Sequence, residues 1–430
     1  MNKSMYISEF GVFQKSTINK QSSSDSLLLD RANWNTLEEI VLNSNSKIFS
    51  YLNSPNRIRV NSYIGVISLN NIHVEVLPKT SRNDKVDLIQ NRKRLLKMIS
   101  RVYNLNLFQS TNANLQLSNK PLIEVLIERY LKLLAGVIKK GVAREYKNVY
   151  GFEKFIKGKL LLSKQLRMPK PQMNRAHIEF DELSFDRPEN RLIKSTLEVL
   201  RKRSLAQGNS NLVEKLNIML NEVPISSSIK NDLNSWRTSR DILHYQALLP
   251  FIKFILYEQS PETIKGEHRG ISFLFQMEEL FEKYVYEVLK STYKEPYKLK
   301  KQISSMYIAR QGERNMFSLK PDIALFKDGN CISILDTKWK LLDQNNEFSE
   351  SIYNSNYGMK QADIYQLFTY GEKYLHGKGE MYLIYPATSK FNKPLEPLIL
   401  NQKGLKLNIL PFNLDTDEVL INKIFFFKSE

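Results

Sequence analysis

Cysteine is almost absent from this sequence, and histidine is sparse, which excludes several kinds of site. Cys331 is the single cysteine among 430 residues, so neither an intramolecular disulfide nor a cysteine-based zinc cluster can form. The five histidines include no pair at positions i and i+4, which argues against a helical zinc site and a Ser–His catalytic unit. The chain also lacks a G-x-x-x-x-G-K-[ST] segment, so we expect that it binds no nucleotide in a P-loop of its own.

Long apolar runs are missing as well. The most apolar stretch, ALLPFIKFILY at residues 247–257, contains Pro250 and Lys253 and is shorter than the roughly 20 residues that span a bilayer. The first twenty residues contain no apolar core of the kind found in signal peptides. We therefore expect a cytoplasmic protein without a membrane partner.

Positive charge, by contrast, is in surplus. Lysine and arginine total 63 against 45 aspartates and glutamates, which gives a net charge of +18. A surplus of this size indicates a polyanionic partner, either nucleic acid or an anionic membrane surface. Free use of lysine by an AT-rich genome is the alternative explanation, and we favour nucleic acid.

The residue patterns divide the chain into three consecutive regions. Residues 1–150 begin with strands and turns and change near Asn91 to apolar residues at helical spacing, which predicts a β-rich and then helical region. Residues 151–260 are predicted to be mainly helical. Residues 261–430 follow the order helix, strand, hairpin, helix, strand, which favours a mixed sheet flanked by helices. The predicted fold class is therefore a multidomain α+β or α/β protein.

Two helices are predicted in the third region. Apolar residues recur on one stripe of Ile271–Ser291, which is typical of an amphipathic helix. A longer helix is predicted from about Asn356 to Leu375, followed by a strand at Met381–Pro386.

Two aspartates at the open end of a predicted hairpin are the strongest sign of chemistry. Asp322 follows Pro321 at the start of the first strand and Asp336 is near the end of the second, with Asp328-Gly329-Asn330 as the turn signal between them. A three-residue turn would place Asp322 directly opposite Asp336, with Cβ atoms roughly 4.5–5.5 Å apart. A two-residue turn would place the aspartates on opposite faces. Strand alternation also predicts that Asp336 shares a face with Ile332 and Ile334.

Two carboxylates that close repel each other and need a compensating cation. A hard, oxygen-seeking ion such as Mg²⁺ fits, with Mn²⁺ as a possible substitute. We expect Asp322, Asp336 and the backbone carbonyl of Thr337 to hold the metal, which would polarise a phosphodiester and acidify a bound water. Lys338 would stabilise developing phosphate charge or orient the attacking water. An exposed hairpin with ordinary surface aspartates and lysine is the alternative, and spacing alone does not decide between them.

Three segments resemble known nuclease motifs. Pro321-Asp322 followed by Asp336-Thr337-Lys338 resembles the active-site motif of the PD-(D/E)xK nuclease superfamily. Gln366 and Tyr370, in the segment DIYQLFTY, resemble the Q-x-x-x-Y helix motif of RecB-like members. LFQMEELFEKYV at residues 274–285 resembles the first nuclease helix of that superfamily, which carries a glutamate. Matching LFE identifies this residue as Glu282, whereas helical projection favours Glu278.

Further segments resemble one family, McrC, the nuclease subunit of McrBC modification-dependent restriction systems. They are YIGV (63–66), VEVLPK (74–79), GVAREY (141–146), KGKL (157–160) and DELSFDRPENRLIK (181–194). The similarity runs from about residue 60 to 390.

This resemblance implies a PD-(D/E)xK nuclease domain in residues 261–430 and a partner-docking region in residues 1–150. It implies DNA as the substrate, Mg²⁺ as the cofactor and an McrB-like AAA+ GTPase hexamer that recognises modified DNA, such as DNA with 5-methylcytosine, in antiphage defence. Asp322, Asp336 and Lys338 would carry the chemistry. Glu282 would complete the metal shell, and Gln366 and Tyr370 would support it.

The basic segments Lys139–Lys147 and Lys154–Arg167 would contact phosphates or the partner, with a solvated basic face as the alternative. Two other functions stay open. A nuclease of another restriction system, such as a LlaJI-like one, would be distinguished by the genes that neighbour its own. A non-catalytic DNA-binding or motor-activating adaptor would be distinguished by the absence of metal-dependent cleavage.

Overall fold

The structure of the protein, a computed structural model, describes most of the chain in two compact units. The described residues are 3–16, 23, 25–44, 47–70, 72–80, 88–107, 120–167, 169, 174–202, 206–256, 273–343 and 356–419. The middle unit contains the described residues of 123–256. The two-segment unit contains those of 3–122 and 273–419.

The first segment of the two-segment unit contains two small sheets and two helices. In chain order its elements are β1 (Lys3–Ser8), β2 (Val12–Lys15), β3 (Ser26–Leu29), α1 (Arg31–Asn43), β4 (Phe49–Leu52), β5 (Ser54–Val60), β6 (Tyr63–Ser68), β7 (Ile72–Leu77) and α2 (Leu88–Val102). One sheet has the order β3-β2-β5-β4. In the other, β1 pairs in parallel with β7, and β7 pairs antiparallel with β6.

Helix α1 lies in a region that the sequence pattern assigned mainly to strands and turns. Asp30 caps the helix by accepting a hydrogen bond from the backbone N–H of Asn33, at 2.8 Å. Trp34, Leu37 and Ile40 then face the core at helical spacing. The prediction for this stretch was incomplete because the short amphipathic pattern is flanked by strand-like sequence on both sides.

The middle unit combines helices with a three-stranded sheet. Its elements are α3 (Leu122–Lys140), β8 (Glu145–Glu153), β9 (Lys159–Leu160), α4 (Leu162–Gln165), β10 (Ala176–Ser184), α5 (Pro188–Arg201), α6 (Gln207–Met219), α7 (Ile229–Asn234), a 3₁₀ helix (Arg240–Tyr245) and α8 (Leu249–Leu256). The sheet has the order β8-β10-β9. The region predicted as mainly helical therefore also contains strands, which alternate between more and less exposed residues along β8.

The second segment of the two-segment unit contains the largest sheet. Its elements are β11 (Phe273–Gln276), α9 (Met277–Thr292), β12 (Tyr297–Lys301), β13 (Met306–Gln311), β14 (Arg314–Leu319), β15 (Ile323–Lys327), β16 (Asn330–Thr337), α10 (Gln361–Tyr374), β17 (Gly379–Pro386), β18 (Leu398–Ile399), β19 (Leu405–Asn413) and β20 (Glu418–Val419). The strand order is β12-β15-β16-β17-β19-β18, and β20 pairs with β19. The sheet is mixed: β16, β17 and β19 run parallel, and the other pairings are antiparallel.

Strand β11 joins the two segments of this unit. It pairs antiparallel with β6, and the backbone N–H of Met277 donates to the carbonyl of Ser62 at 2.9 Å. Helix α9 therefore begins at Met277 rather than at the predicted Ile271, which lies outside the described residues. The three consecutive regions predicted from the sequence do not coincide with the two units, because this pairing places both ends of the chain in one unit.

Two helices cover opposite faces of the mixed sheet. Leu367 of α10 packs in one core cluster with Leu407 of β19. Phe281 and Tyr284 of α9 make edge-to-face contacts with Phe412, whose side chain points to the other face because it is five residues from Leu407. A mixed α and β architecture with a mixed, helix-flanked sheet agrees with the predicted fold class. Among the described residues, no helix combines the length and the apolar character needed to cross a membrane.

Gly371 allows α10 to approach the sheet closely, and its substitution tests this packing. A Cβ atom added there would lie 2.5 Å from Cδ2 of the buried Leu405 and 3.0 Å from Sδ of Met381. We expect Gly371→Val to destabilise the fold by about 1–3 kcal/mol, because the core must move to admit the side chain.

Thermal unfolding measures this effect. Gly136→Ala, in α3, is the control, because an added Cβ meets no atom within 4 Å there. The control should stabilise its helix by about 0.5–1 kcal/mol. Equal melting temperatures for the two variants would contradict the packing described for α10.

Candidate active site

The hairpin of β15 and β16 brings Asp322 and Asp336 to the same end of the sheet. Its turn contains two residues, Asp328 and Gly329, rather than the predicted three. Both have positive φ, 50° and 86°, as a type I′ hairpin turn requires. The predicted turn was therefore wrong, because Asp-Gly alone satisfies the turn and Asn330 pairs with Lys327.

A β-bulge restores the register that a two-residue turn would otherwise remove. Phe326 pairs with Cys331, but Leu325 pairs with Ser333, so Ile332 is the extra residue of β16. Beyond the bulge, Ile323 pairs with Leu335, and the next step of the same register sets Asp322 opposite Asp336. Ile332 is 38% exposed, whereas Ile334 is fully buried. Strand β16 is buried from Ser333 onward, and the common face of Ile332, Ile334 and Asp336 stays a prediction.

Hydrogen bonds fix both aspartates at this end of the sheet. Oδ2 of Asp322 accepts from the backbone N–H of Thr337 at 2.8 Å and from its hydroxyl at 3.0 Å. Nζ of Lys338 donates to Oδ2 of Asp336 at 2.5 Å. Strand β16 is continued past its last residue because the N–H of Lys338 donates to the carbonyl of Ile384 at 2.9 Å. The aspartates and the lysine thus form one polar cluster on a rigid strand.

The cluster is buried enough to change the ionisation of its members. Burial and then the negative charge of Asp322 raise the pKa of Asp336 to about 7, although Lys338 acts in the opposite direction. Burial also raises the pKa of Asp322, against the effect of its hydrogen bonds from Thr337. Burial acts to lower the pKa of Lys338, but the charges of Asp336 and Asp322 outweigh it and raise that pKa. The site therefore holds two carboxylates that resist being charged together.

Helix α9 contributes Glu282 rather than Glu278 to this cluster. Oε1 of Glu282 accepts from Nε2 of Gln302 at 3.0 Å, and burial and then the charge of Asp322 raise the pKa of Glu282. Glu278, one turn earlier, is exposed, and its Oε2 accepts from Gln276 at 3.4 Å. The glutamate given by the match to LFE is therefore the one whose pKa responds to the charge of Asp322, and its place in a metal site stays a prediction.

Helix α10 holds the segment that leads into Asp322. Nε2 of Gln366 donates to the hydroxyl of Tyr370 at 2.7 Å, and that hydroxyl donates to the carbonyl of Lys320 at 3.0 Å. One turn later, Tyr374 donates to the carbonyl of Leu319 at 3.0 Å. The charge of Asp363 also reaches Asp336 and contributes to its raised pKa. Gln366 and Tyr370 therefore position the backbone beside the cluster.

The donor set of the cluster fits a single hard cation. Oδ1 of Asp336 is buried and has no hydrogen-bond partner among the described residues, so it is a carboxylate oxygen without a proton donor. Asp322 adds a second carboxylate close enough to raise the pKa of Asp336. Within the described ranges, however, no group of three or more His, Cys, Asp or Glu side chains is arranged to hold a metal. Any ion here would take two carboxylates, backbone oxygen and solvent or substrate.

Sequence reasoning missed Glu9, which makes a buried contact beside this region. Nε1 of Trp339, the residue after Lys338, donates to Oε1 of Glu9 at 2.6 Å. The N–H of Lys79 donates to the same oxygen at 2.8 Å, and burial raises the pKa of Glu9 to about 7 against these bonds. Glu9 is 330 positions from its partner, so no local pattern indicates the contact.

The two basic segments predicted to contact DNA or a partner lie in the middle unit. Several of their cations already have partners there: Lys147 pairs with Asp186, and the guanidinium of Arg144 lies 4.0 Å from the ring centroid of Phe185. Lys164 lies 5.2 Å from the ring centroid of Tyr150. Their role in binding stays a prediction.

Comparison with known families decides where this chain belongs. Residues 58–386 match the family described as McrBC 5-methylcytosine restriction system component. The chain belongs to this McrBC family. The match covers more than half of the sequence and includes Glu282, Asp322, Asp336, Lys338, Gln366 and Tyr370. Glu9 lies outside it.

Solved structures also match this chain. One is a refined half-complex from a tetradecameric assembly of Thermococcus gammatolerans McrB AAA+ hexamers with bound McrC, in which the matching chain is 19% identical with a TM-score of 0.67. The match covers 96% of this McrBC-family chain and 95% of that chain. A cryo-EM structure of the Thermococcus gammatolerans McrBC complex matches at 22% identity and a TM-score of 0.49, over 67% of this chain and 87% of that one. At these identities the likeness concerns the fold, and a comparison with curated proteins gives no match.

Neutralising Asp336 should stabilise the metal-free protein at alkaline pH. The folded-state pKa of about 7 lies above the ordinary value of 3.8, so the folded state binds more protons than the unfolded state between these values. Stability therefore falls as the pH rises through this window. We expect Asp336→Asn to melt at a higher temperature than the unaltered chain at pH 8 in EDTA, with the difference shrinking towards pH 4.

Differential scanning fluorimetry across pH 4–8 measures this difference. Asp328→Asn, in the exposed hairpin turn, is the matched control and should follow the unaltered chain. A lower melting temperature of Asp336→Asn at pH 8 would contradict the expected stabilisation and would mean that the ion pair with Lys338 outweighs burial.

Proposed function

We propose that this chain is a metal-dependent DNA endonuclease subunit of an McrBC-type restriction system, with a nuclease domain of the PD-(D/E)xK type. The observation that carries the proposal is the juxtaposition of Asp322 and Asp336 with Lys338 on Asp336, in a chain of the McrBC family. Phosphodiester hydrolysis needs a cation site beside a fixed positive charge, and this cluster supplies both.

Each residue of the cluster has a defined part in this reaction. Asp322 and Asp336 hold the divalent ion, and Mg²⁺ is the ion we propose because the donors are hard oxygens. When bound, the ion would polarise the phosphodiester and acidify a water. Lys338 stabilises the charge that develops on the phosphate, and the hydrogen bond to Asp336 keeps its ammonium in place.

Neighbouring residues keep this geometry. Glu282 accepts a hydrogen bond from Gln302 and adds a carboxylate towards Asp322, where it can bind a metal-associated water. Tyr370 and Gln366 hold the carbonyl of Lys320 and so fix the approach of Asp322.

We propose an AAA+ GTPase of the McrB kind as the partner that recognises modified DNA. The half-complex of similar fold contains McrB AAA+ hexamers with bound McrC, and the fold likeness over 96% of this chain supports a comparable assembly. Residues 1–150 are the proposed docking region, as the family resemblance implies.

Cleavage by the assembled complex tests this function. The chain, the AAA+ GTPase encoded next to it, GTP, Mg²⁺ and methylated or unmethylated plasmid should give cleavage that depends on methylation. Asp336→Ala should abolish cutting while GTP turnover and complex formation continue, because only the cation site is lost. GTP turnover and complex formation without cutting by the unaltered chain would instead favour an adaptor role.

Helix α9 offers a matched pair of substitutions. Glu282→Gln should slow cleavage by about a hundredfold, because its carboxylate faces Asp322. Glu278→Gln, one turn away and exposed, should cut at the rate of the unaltered chain. Single-turnover cleavage measures both, and equal rates for the two variants would remove Glu282 from the site.

A further inference from the structure

Strands β13 and β14 form a two-stranded ribbon, residues 306–319, with both faces open. Every residue of the two strands except Leu319 is exposed. A two-stranded hairpin on its own is only marginally stable in water, so such a ribbon needs an anchor or a partner.

The root of the ribbon is anchored beside the candidate active site. The hydroxyl of Tyr374 donates to the carbonyl of Leu319 at 3.0 Å and lies 3.3 Å from the backbone N of Met306, which donates to it. These bonds join the two strands to helix α10. Because Leu319 is three positions before Asp322, the root of the ribbon is close to the carboxylate cluster along the chain.

Apolar and aromatic side chains are exposed along both faces of the ribbon. Tyr307 and Met316 lie on one face, and Ile308 lies on the other. Phe317 is 65% exposed and has a φ of 58°, a conformation that is unusual for a bulky residue. Strained backbone that presents an exposed aromatic side chain is a feature of ligand-binding segments.

Cationic side chains lie at the tip and at the root of the ribbon. Arg310 and Arg314 flank the tip, where Glu313 is the one acidic residue of the ribbon. The connection from the ribbon to Asp322 adds the exposed Lys320. Exposed aromatic and apolar groups between cations match the chemistry of DNA, in which charged phosphates border stacked bases.

We propose that the ribbon is a DNA-binding arm that lies in a groove of the duplex next to the cleavage position. A two-stranded ribbon fits the major groove in width. Arg310 and Arg314 contact phosphates, and Phe317 packs against the groove wall. This assignment rests on the proposed nuclease function and adds to it the surface that holds the substrate in register.

DNA binding without cleavage tests the arm. Fluorescence anisotropy of a labelled 30-base-pair duplex is measured in EDTA with the full-length chain. Arg310→Ala/Arg314→Ala should weaken binding on the order of tenfold at 0.15 M salt and reduce the slope of log Kd against log salt by about two, since two phosphate contacts are lost. Lys403→Ala/Lys406→Ala removes the same charge from exposed positions near β19 and should change Kd by less than about threefold.

The substitution Phe317→Gly distinguishes a role of Phe317 in DNA binding from a role in folding. Glycine tolerates a positive φ, so this variant should keep or raise the melting temperature while it weakens DNA binding. A fall in melting temperature with unchanged binding would mean that Phe317 only supports the fold, and would overturn its assigned role.

Two further outcomes distinguish the arm from the nuclease proposal. If the arginine variant binds DNA as the unaltered chain does, the DNA-binding arm is refuted. If that variant instead no longer binds the AAA+ partner, the ribbon is a protein-binding surface. If binding depends on the ribbon but the unaltered complex does not cut with Mg²⁺, the arm stands and the nuclease proposal fails. When both hold, the arginine variant raises KM for DNA and leaves kcat unchanged.

Discussion

The pairing register between β15 and β16 is the constraint on which the candidate site depends. With a two-residue turn, the hairpin contains one residue more than regular pairing of Asp322 with Asp336 would allow. The β-bulge at Ile332 accommodates this extra residue. A register that differed by one position would move Asp336 to the other face of the sheet. The hydrogen bonds of Thr337 and Lys338 then hold carboxylates that the register has already brought together.

Burial makes it energetically unfavourable for the carboxylates of this site to be ionised, and the neighbouring protein groups offset this cost only in part. Asp322, Asp336 and Glu282 all have raised pKa values, with burial as the largest cause, and one lysine pairs with one of them. Such a site tends to take up protons when no metal is bound. A divalent cation bound there would replace those protons and stabilise the charged carboxylates. The surrounding sheet, covered by a helix on each face, holds the carboxylates in place while that cost persists.

Sequence patterns predicted what depends on local spacing. The mixed sheet, the buried stripe of α9 and the meeting of Asp322 with Asp336 follow from periodicity and from the hairpin signal. The sequence did not show whether the extra residue lies in the turn or in a β-bulge, because both have the same effect on the pairing register. Helix α1 was hidden by its strand-like flanks, and the β6–β11 pairing, some 210 positions apart, leaves no local trace. The choice of Glu282 over Glu278 needed the motif match, because it depends on the position of Asp322 and not on the helix alone.

The contact between Glu9 and Trp339 has a consequence for how the protein is made. Glu9 is synthesised early, and β11 and Trp339 are synthesised only after the middle unit. A fragment that begins after Glu9 leaves the indole N–H without this acceptor, and one that begins after β6 also exposes the edge of β11. Such fragments therefore lack part of the native surroundings of Trp339, the residue that directly follows Lys338 of the carboxylate cluster.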